Sequence, residues 1–526
     1  MLAKPLLFCI PIAFLCTFEA AKILAVFPFE TPSQCHVLTP FLRALAQRNH
    51  ELTVIHAYPE CETVHKVKYI RVEDKYRVFG DFNADDFLPT ASKWSVFNLF
   101  STFMIKIQLN VLQNEEVQNL MNSNATFDLV ILESSNTDAL YGLAAHFNAP
   151  LVGLATTGSD WSIDALVGYT GSSISEPMQP SGYRNGLTLF EQFHNWAYIS
   201  EEWLMLQLLY LPQMRQVYEQ FFPHLSEPFE KIRHSFSLIL LNQHFSLGQP
   251  RPNVPGVVEV GGFHLTGDVP ALPQDLAVFI EEATHGVIYF ALGIELQSKD
   301  LSATTLRMLL QCFESLPQRV IWKYEGEPLS NVSANIYIGS WLPQRAILAH
   351  SNVKLFITHG GQLSFIETAY FGKPVLGLPH YFDQFRNIDH LTRHGLGISL
   401  DLNTLTGPVL TAAIEQVISD PQYQRSASAY SHRFRDQPMQ PMQVAVYWTE
   451  YVLRYKGASH MRVPVYNMKF IDYYSLDKLL MIGGRITLLV ILVVFAFFKL
   501  NPLLGLFRAS WERLKWGQAP MVPQLK

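Results

Sequence analysis

Short apolar runs alternate with longer amphipathic segments along most of this chain, and this alternation is the strongest constraint on its fold. Residues 21–27, AKILAVF, are typical of a strand, and residues 37–50, VLTPFLRALAQRNH, are typical of a helix. The runs ELTVI, FDLVILE and APLVGLA continue the strand pattern up to residue 155. The sequence therefore predicts an α/β protein with a parallel, doubly wound sheet in a first domain, residues 21–250.

A second unit of the same kind follows a stretch rich in Pro and Gly. That stretch, residues 251–264, is predicted to be a linker, and residues 265–465 are predicted to form the second domain. Its strand-like runs are GVIYFAL, RVIWKYEG, ANIYIGSWLP, VKLFITHGG and KPVLGLP. Two sheets of similar size joined by a linker predict a ligand in the cleft between them, at the carboxyl ends of the strands.

Both ends of the 526-residue chain carry apolar segments. Residues 1–20 predict a secretory signal peptide rather than an anchor helix, because their apolar core is too short to span a bilayer. Residues 479–498 contain one charge, Arg485, and predict a transmembrane helix, with a buried core helix as the alternative. Basic residues outnumber acidic ones in 499–526, so the positive-inside rule predicts a cytosolic tail and a lumenal or extracellular body.

Charge and cysteine content limit the partners, disulfides and metal sites that the protein can have. A net charge of −6 and a body without a basic run argue against nucleic acid as a partner. After the signal peptide, Cys35, Cys61 and Cys312 remain, which is compatible with one Cys35–Cys61 disulfide and equally with three free thiols. No spacing in the sequence predicts a metal site. Asn124 and Asn331 begin glycosylation sequons.

The densest motif covers residues 341–387. VKLFITH predicts a strand, and GGQLSFIETAYF predicts a helix that begins at Gly360 and Gly361. A helix N-terminus offers unpaired N–H groups and a positive dipole end, and two glycines let a phosphate approach. Taken alone, the pattern is also explained by a structural glycine turn, and it is neither a dinucleotide fingerprint nor a P-loop. The block adds further groups suited to a nucleotide: His359, Ser364, Glu367 and Trp341.

The whole block resembles the signature of the UDP-glycosyltransferase family: W-L-P-Q, H-G-G-x-x-S-x-x-E and G-x-P-x-x-x-D-Q-x-x-N. The resemblance covers nearly the whole chain and is strongest to the membrane-bound insect branch. It implies the GT-B fold, in which two Rossmann-like domains face a cleft and the last helices return to the first domain. It also implies an acceptor site in the first domain, a UDP-sugar co-substrate in the second, and neither a cofactor nor a metal.

Nine positions of the block coincide with donor-binding positions of the family. The resemblance implies that Trp341 stacks on uracil, that Gln344 hydrogen-bonds nearby and that Glu367 binds the ribose. It implies that His359 and Ser364 bind the diphosphate beside Gly360 and Gly361. It also implies that Asp383 and Gln384 bind the sugar hydroxyls.

The catalytic position departs from the family pattern. The family uses a His as the base of an inverting displacement, and this chain has Gln34 there, whose amide is not basic near neutral pH. His36 would lie on another helix face and is predicted to be a packing or surface residue rather than a replacement base. Glu133 takes the place of the partner carboxylate, where the family more often has Asp, and Asp138 is a second candidate.

The leading hypothesis from the sequence is a hexosyltransferase that uses UDP-glucose and acts on small lipophilic acceptors. The resemblance further implies a role in detoxification, a single-pass type I protein of the endoplasmic reticulum membrane, and homo- or hetero-oligomers. The alternative is a non-catalytic or weakly active relative that binds a UDP-sugar or a lipophilic ligand as a carrier or partner subunit. Gln34 and Ile294 support this alternative; Ile294 replaces one family serine, and Ala291 replaces another. A nicotinamide oxidoreductase is disfavoured, because its fingerprint is missing.

Overall fold

The computed structural model of the protein describes residues 20–28, 32–57, 64–73, 92–156, 158–168, 187–248, 251, 253–294, 297–329, 331–380, 383–463 and 476–516. The described residues contain two parallel β-sheets, which confirms the predicted α/β fold with two Rossmann-like domains. The predicted signal peptide lies outside the described residues, apart from residue 20, and so does Cys61.

The first sheet has seven strands: β1 (Lys22–Phe27), β2 (Glu51–His56), β3 (Val67–Arg71), β4 (Leu129–Glu133), β5 (Leu151–Ala155), β6 (Phe236–Leu241) and β7 (Val257–Glu259). All are parallel, in the order β3-β2-β1-β4-β5-β6-β7. Every residue of β4, β5 and β6 is buried. Such continuous apolar strands are expected where helices cover both faces of a parallel sheet.

The second sheet has six parallel strands: β8 (Val287–Ala291), β9 (Arg319–Lys323), β10 (Ile336–Gly339), β11 (Val353–Thr358), β12 (Val375–Gly377) and β13 (Gly397–Ser399). Their order is β10-β9-β8-β11-β12-β13. The order reverses direction between β8 and β11, and the carboxyl ends of these two strands therefore border a crevice suited to a ligand.

In the described part of the chain, eight helices accompany the first sheet: α1 (Pro32–Gln47), α2 (Lys93–Gln113), α3 (Glu115–Met121), α4 (Gly142–His146), α5 (Trp161–Leu166), α6 (Leu189–Met205), α7 (Leu211–Phe221) and α8 (Phe229–Arg233), with a π turn at Leu206–Tyr210. After β7 come α9 (Gln274–Glu281), α10 (Ala303–Glu314), α11 (Gln344–Ala349), α12 (Gln362–Phe371), α13 (Asp383–Arg393), α14 (Gly407–Ser419), α15 (Pro421–Arg435) and α16 (Pro441–Arg454). Short 3₁₀ turns occur at Asp138–Tyr141, Phe263–Leu265, Ser298–Asp300, Leu402–Thr404 and Ser459–Met461.

The stretch predicted to be a linker, residues 251–264, contains the last strand of the first sheet. β7 pairs with β6, and Val257 and Val258 are buried. A strand of only three residues gives too short an apolar pattern to be recognised in a stretch rich in Pro and Gly. The first sheet therefore extends to Glu259, and the chain enters the second domain after it.

The core of the first domain has two halves, one on each face of the sheet. Leu24 and Val26 pack in one half, and Ile23 and Ala25 pack in the other, because successive side chains of a strand point to opposite faces. The second half also contains side chains of α16, among them Ala445. The chain therefore returns to the first sheet after completing the second, which is the arrangement that the resemblance implies.

An ion pair joins this returning helix to Arg48, the residue that directly follows α1. Arg48 Nε donates to Glu450 Oε1 at 2.7 Å, and Arg48 Nη2 donates to Glu450 Oε2 at 2.8 Å. The Glu450 side chain is only 1% exposed, whereas that of Arg48 is 49% exposed. A two-point contact of this kind fixes the angle between the guanidinium and the carboxylate as well as their distance.

The chain divides into two compact units, residues 1–463 and residues 464–526. The described part of the second unit is a single helix, α17 (Leu476–Trp516). Its segment Leu480–Phe497 is a candidate membrane span by length and composition, close to the predicted 479–498. The predicted tail, 499–526, is helical up to Trp516.

Three modification predictions can be placed on the first unit. Asn124 and Asn331 are both exposed, as glycosylation acceptors must be. Cys35 is disulfide-bonded. Cys312 is a buried free thiol. The sequence left open either one Cys35–Cys61 disulfide or three free thiols, and the second alternative is therefore excluded.

The Arg48–Glu450 pair provides a test of the returning helix. Arg48→Ala should lower the free energy of unfolding by about 1–3 kcal/mol, because it leaves a buried carboxylate without its cation. Arg215→Ala is the matched control: Arg215 is 51% exposed and pairs with a half-exposed Glu230, so its loss should cost less than about 1 kcal/mol. Urea unfolding of both variants measures the difference. Equal losses would contradict a structural role for the pair.

Candidate functional site

The predicted acceptor side of the site lies at one edge of the first sheet. β1, β4 and β5 are parallel neighbours, so their carboxyl ends meet there. Helix α1 follows β1, Glu133 is the last residue of β4, and Thr156 directly follows β5.

Helix α1 begins at Pro32, five residues before the predicted start at Val37. Proline is favoured in the first turn of a helix, where its missing N–H has no intrahelical partner to lose. The apolar periodicity alone begins only at Val37, so it does not reveal this start. As a consequence, Gln34 and His36 lie inside the helix, two residues apart and therefore on different faces.

Gln34 and Glu133 are connected through a third residue. Gln34 is half-buried, and its Nε2 donates to Thr156 Oγ1 at 3.2 Å. Thr156 is buried, and its Oγ1 donates to Glu133 Oε2 at 2.8 Å. The structure thus brings the two predicted catalytic positions together, and Thr156, which the sequence analysis missed, bridges them.

Glu133 is the titratable member of this chain of hydrogen bonds. Burial raises the pKa of Glu133 to about 7, although hydrogen bonds from Thr156 and Ser135 favour its ionised form and oppose the rise. Near neutral pH the carboxyl group is therefore divided between its neutral and ionised forms. The Gln34 amide and the Thr156 hydroxyl keep their protons in this pH range. Among these three hydrogen-bonded residues, any response to pH therefore originates at Glu133.

His36 and Asp138 are engaged elsewhere. The exposed His36 ring stacks on the Trp341 ring, with centroids 5.4 Å apart and planes 21° apart. This contact crosses from the first domain to the predicted uracil site of the second. Asp138 Oδ1 accepts from Arg233 Nε at 2.6 Å, and Asp138 Oδ2 accepts from Tyr210 OH at 2.9 Å. Asp138 is therefore one half of a buried ion pair.

The turn after β11 depends on glycine. Gly360 has φ +84°, and a Cβ there would lie 2.4 Å from the Ile388 side chain. Because Gly360 is left-handed, the helix cannot include it, and α12 begins at Gln362 rather than at Gly360 as predicted. Gly361 is the N-cap residue, so two glycines still precede the unpaired N–H groups of a ten-residue helix.

His359 is packed between two glycines. A Cβ on Gly293 would come within 2.5 Å of its ring, and one on Gly361 would come within 2.6 Å. Burial lowers the pKa of His359 to about 4, with a smaller contribution from the Lys323 charge. The ring is therefore neutral at neutral pH. Its Nδ1 is buried and has no hydrogen-bond partner among the described residues.

Three predicted donor-binding residues form one polar cluster. Gln344 Nε2 donates to Ser364 Oγ at 3.2 Å and to Glu367 Oε2 at 2.5 Å. Tyr289 OH completes it by donating to Gln344 Oε1 at 3.2 Å. Burial raises the pKa of Glu367 to about 7. The half-exposed Trp341 ring has the Lys323 ammonium 5.9 Å from its centroid.

His264 belongs to the same cluster and was not predicted. Its Nε2 lies 4.0 Å from Glu367 Oε1. Burial lowers the pKa of His264 to about 3, so the contact is not an ion pair at neutral pH. Both ring nitrogens are buried and have no hydrogen-bond partner among the described residues. A lone His in a Gly-rich stretch carried no sequence signal for this placement.

The two predicted sugar-binding residues differ in their surroundings. Asp383 begins α13, and its Oδ2 accepts from Asn387 Nδ2 at 2.9 Å. Burial raises the pKa of Asp383. Gln384 is buried, and its Oε1 accepts the His380 backbone N–H at 2.8 Å, so this carbonyl oxygen already has a protein donor.

The two domains also meet at Gln362, the first residue of α12. Gln362 Nε2 donates to the backbone oxygen of Asn242 at 2.8 Å. Asn242 directly follows β6. The contact therefore joins the carboxyl edge of the first sheet to the glycine turn of the second.

Known proteins resemble the chain over most of its length. A family model described as UDP-glucoronosyl and UDP-glucosyl transferase matches residues 6–509. UDP-glycosyltransferase UGT5 of Dactylopius coccus is 34% identical over 87% of this chain and 88% of its own. UDP-glucosyltransferase 2 of the same insect is 30% identical, with 88% and 89% covered. The crystal structure of CalG4, the calicheamicin glycosyltransferase, covers 83% of this chain and 99% of its own with a TM-score of 0.56 and 16% identity.

The titration of Glu133 makes the stability of Glu133→Gln depend on pH. The pKa of this carboxyl is about 7 when folded and ordinarily 4.5, so the folded chain binds more protons between these values. Wild-type stability should therefore fall relative to the variant as pH rises from about 4.5 to about 7, by at most about 1.4 kcal/mol per pH unit, and level off above. Urea unfolding of both proteins from pH 5 to pH 8 measures the difference. A constant difference would contradict the raised pKa.

Proposed function

Because the chain belongs to the UDP-glycosyltransferase family, we propose that it transfers a hexose, glucose in the first place, from a UDP-sugar to small lipophilic acceptors with inversion. The observation that carries the proposal is that residues beside two polar clusters are in contact across the two domains. Gln34, Thr156 and Glu133 form the acceptor side, and the Gln344 cluster forms the donor side. The contacts of Trp341 with His36 and of Gln362 with Asn242 join the two sides.

The donor cluster has the groups that a nucleoside diphosphate needs. Trp341 offers a flat ring that is 54% exposed, and the Glu367 carboxyl can accept hydrogen bonds from ribose hydroxyls. Neutral His359 can donate a hydrogen bond to a phosphate beside the N-terminus of α12. A diphosphate leaving group gains charge as the glycosidic bond breaks, and donors fixed in place stabilise that charge. The printed name of UDP-glucosyltransferase 2 supports glucose as the sugar.

The residues of the acceptor side limit which acceptor groups can act as the nucleophile. Gln34 can orient an acceptor group but cannot remove its proton. An alcohol keeps its proton near neutral pH and needs a base, whereas a phenol needs less help and an amine or thiol can need none. The proposed acceptors are therefore amines, thiols and acidic phenols in preference to alcohols.

A second function is favoured by the same residue. With Gln34 in place of a base, the chain would bind a UDP-sugar or a lipophilic ligand without turning it over, as a carrier or a partner subunit. UDP binding measured beside UDP release, with and without a panel of phenols, amines and thiols, separates the two. Binding without acceptor-dependent release selects the second function.

The proposed setting is the endoplasmic reticulum membrane, with a role in detoxification. α17 would cross the bilayer once through Leu480–Phe497. A glycosylated body would lie in the lumen and the basic end of the chain in the cytosol, as the positive-inside rule favours. Association with further copies or with relatives is part of this proposal.

The first test addresses the donor site. Glu367→Ala should weaken UDP binding by about 1–3 kcal/mol, because hydrogen bonds from ribose to a carboxylate are lost. Glu415→Ala, which removes an exposed carboxylate from α14, is the matched control and should leave the affinity unchanged. Titration calorimetry with UDP gives both values. Equal affinity of Glu367→Ala and wild type would refute the assignment.

The second test addresses the acceptor side. Gln34→His should raise the rate on an alcohol, since a positioned base typically contributes about 10²–10⁴-fold, provided that Thr156 and Glu133 orient the new imidazole. The rate on an amine should change less. His36→Ala should have little effect at saturating donor. Initial rates of the three proteins on one alcohol and one amine decide this. If His36→Ala abolishes transfer while Gln34→His does nothing, His36 is the base.

A further inference from the structure

Lys323 is the last residue of β9, and it lies at the same edge of the second sheet as the predicted diphosphate site. β9, β8 and β11 are parallel neighbours, so their carboxyl ends meet there. Gly293 follows β8 by two residues, and His359 directly follows β11. Lys323 is only 7% exposed. A cation that no motif of the sequence singled out is therefore buried at this edge.

The ammonium of Lys323 has unused hydrogen-bonding capacity. It donates to the backbone oxygen of Gly293 at 2.8 Å and to Glu325 Oε1. An ammonium has three N–H groups, and the third has no acceptor among the residues that the structure describes. One donor of a buried cation is consequently available to a ligand.

This ammonium is near both groups that the resemblance assigns to the two ends of UDP. Its Nζ lies 5.9 Å from the centroid of the Trp341 ring, the predicted partner of uracil. It also contacts Gly293, which packs against the ring of His359. His359 Nδ1 is buried and has no hydrogen-bond partner in the described part of the chain. Two polar groups with unused capacity thus flank the turn at Gly293.

Ser298 holds Lys323 and its acidic partner in place. Ser298 Oγ donates to the backbone oxygen of Lys323 at 3.0 Å, and the Ser298 backbone N–H donates to Glu325 Oε2 at 2.9 Å. Trp322 Nε1 donates in turn to Ser298 Oγ at 3.1 Å. The cation is therefore positioned before a ligand arrives, which is the condition under which a charged group stabilises a transition state most.

Two further cations near the donor side are engaged elsewhere. Arg345 Nη2 donates to three backbone oxygens within residues 265–267. The charge of Arg386 interacts with the carboxylates of Asp383 and Asp160, which offset it. Lys323 is therefore the better placed of the three to neutralise an anion beside the turn at Gly293.

We propose that Lys323 is a further donor-binding residue, whose ammonium binds the diphosphate of a UDP-sugar and stabilises the charge that grows on it as UDP leaves. This inference rests on the proposed function and adds a residue that lies outside the block 341–387. A diphosphate is an anion, whereas the side chains so far assigned to it, His359 and Ser364, are neutral. Hydrogen bonds from a charged donor are roughly twice as strong as neutral ones.

The ammonium keeps its proton throughout the proposed reaction. As the acceptor forms its bond to the anomeric carbon, the bond from that carbon to the β-phosphate oxygen breaks, and both electrons remain on that oxygen. Lys323 acts there as a fixed positive charge. Ile294 stands where the family pattern has a serine near the phosphates, and Lys323 would offset the loss of that hydroxyl.

The test compares UDP with uridine, which has the same base and ribose but no phosphate. Lys323→Gln should lower the ratio of UDP affinity to uridine affinity by about 10-fold to 100-fold, because a charge-assisted hydrogen bond to phosphate is lost. Lys354→Gln is the matched control: it removes an exposed lysine at the amino-terminal end of β11 and should leave the ratio unchanged. Titration calorimetry gives the UDP affinity, and ligand-detected NMR gives the uridine affinity.

Glu325→Gln distinguishes a phosphate contact from a purely structural role. It removes the negative charge beside the ammonium but keeps an oxygen for the Ser298 N–H. The ratio should rise several-fold, because the charge of Lys323 is then no longer offset by a carboxylate. A ratio that stays the same or falls would show that the pair only supports the turn at Gly293, which overturns the inference. This arm also decides the matter if Lys323→Gln does not fold.

Uridine binding by each variant shows whether the fold and the base site are intact. If Lys323→Gln weakens UDP and uridine binding by the same factor, Lys323 does not contact phosphate, and the inference fails while the proposed function stands. If the wild type binds UDP no more tightly than uridine, the diphosphate site itself is refuted, and the proposed function falls with the inference.

Discussion

Every strand within each sheet runs in the same direction, and the candidate site depends on that parallel pairing. It brings Gln34, in the helix that follows β1, and Thr156, directly after β5, into a hydrogen bond of 3.2 Å although they are 122 positions apart. In the second sheet it places Gly293 after β8 against the His359 ring after β11. Returning strands of a hairpin would place these residues at opposite ends of the sheet.

Each side of the site holds a carboxyl group that is largely shielded from water, and neither group has a cation among its hydrogen-bond donors. The Thr156 hydroxyl serves Glu133, and the Gln344 amide serves Glu367. Neutral donors offset burial only in part, which is why each pKa rises to about 7. Carboxyl groups buried beside neutral donors lower the stability of a folded protein, and such groups are common in functional sites.

The sequence predicted what depends on local pattern and missed what depends on distant contacts. β4 and β5 were recognisable because they are apolar throughout, whereas β7 has three residues and is hidden among Pro and Gly. The predicted donor-binding residues could be picked out as a motif, because they lie in one block of the chain. Thr156 and His264 were missed, since each acquires its role only through residues of other elements.

The stacking of His36 on Trp341 ties the two domains together at the ring predicted to receive uracil. A uracil ring that stacks on this face of Trp341 would have to displace the His36 imidazole. The free energy of nucleotide binding would then include the loss of an interdomain contact. By linkage, a change that weakens the contact between the two domains would strengthen uracil binding by the same free energy by which uracil binding weakens that contact. If a nucleotide binds there, this pair of rings would couple its affinity to the contact between the two domains.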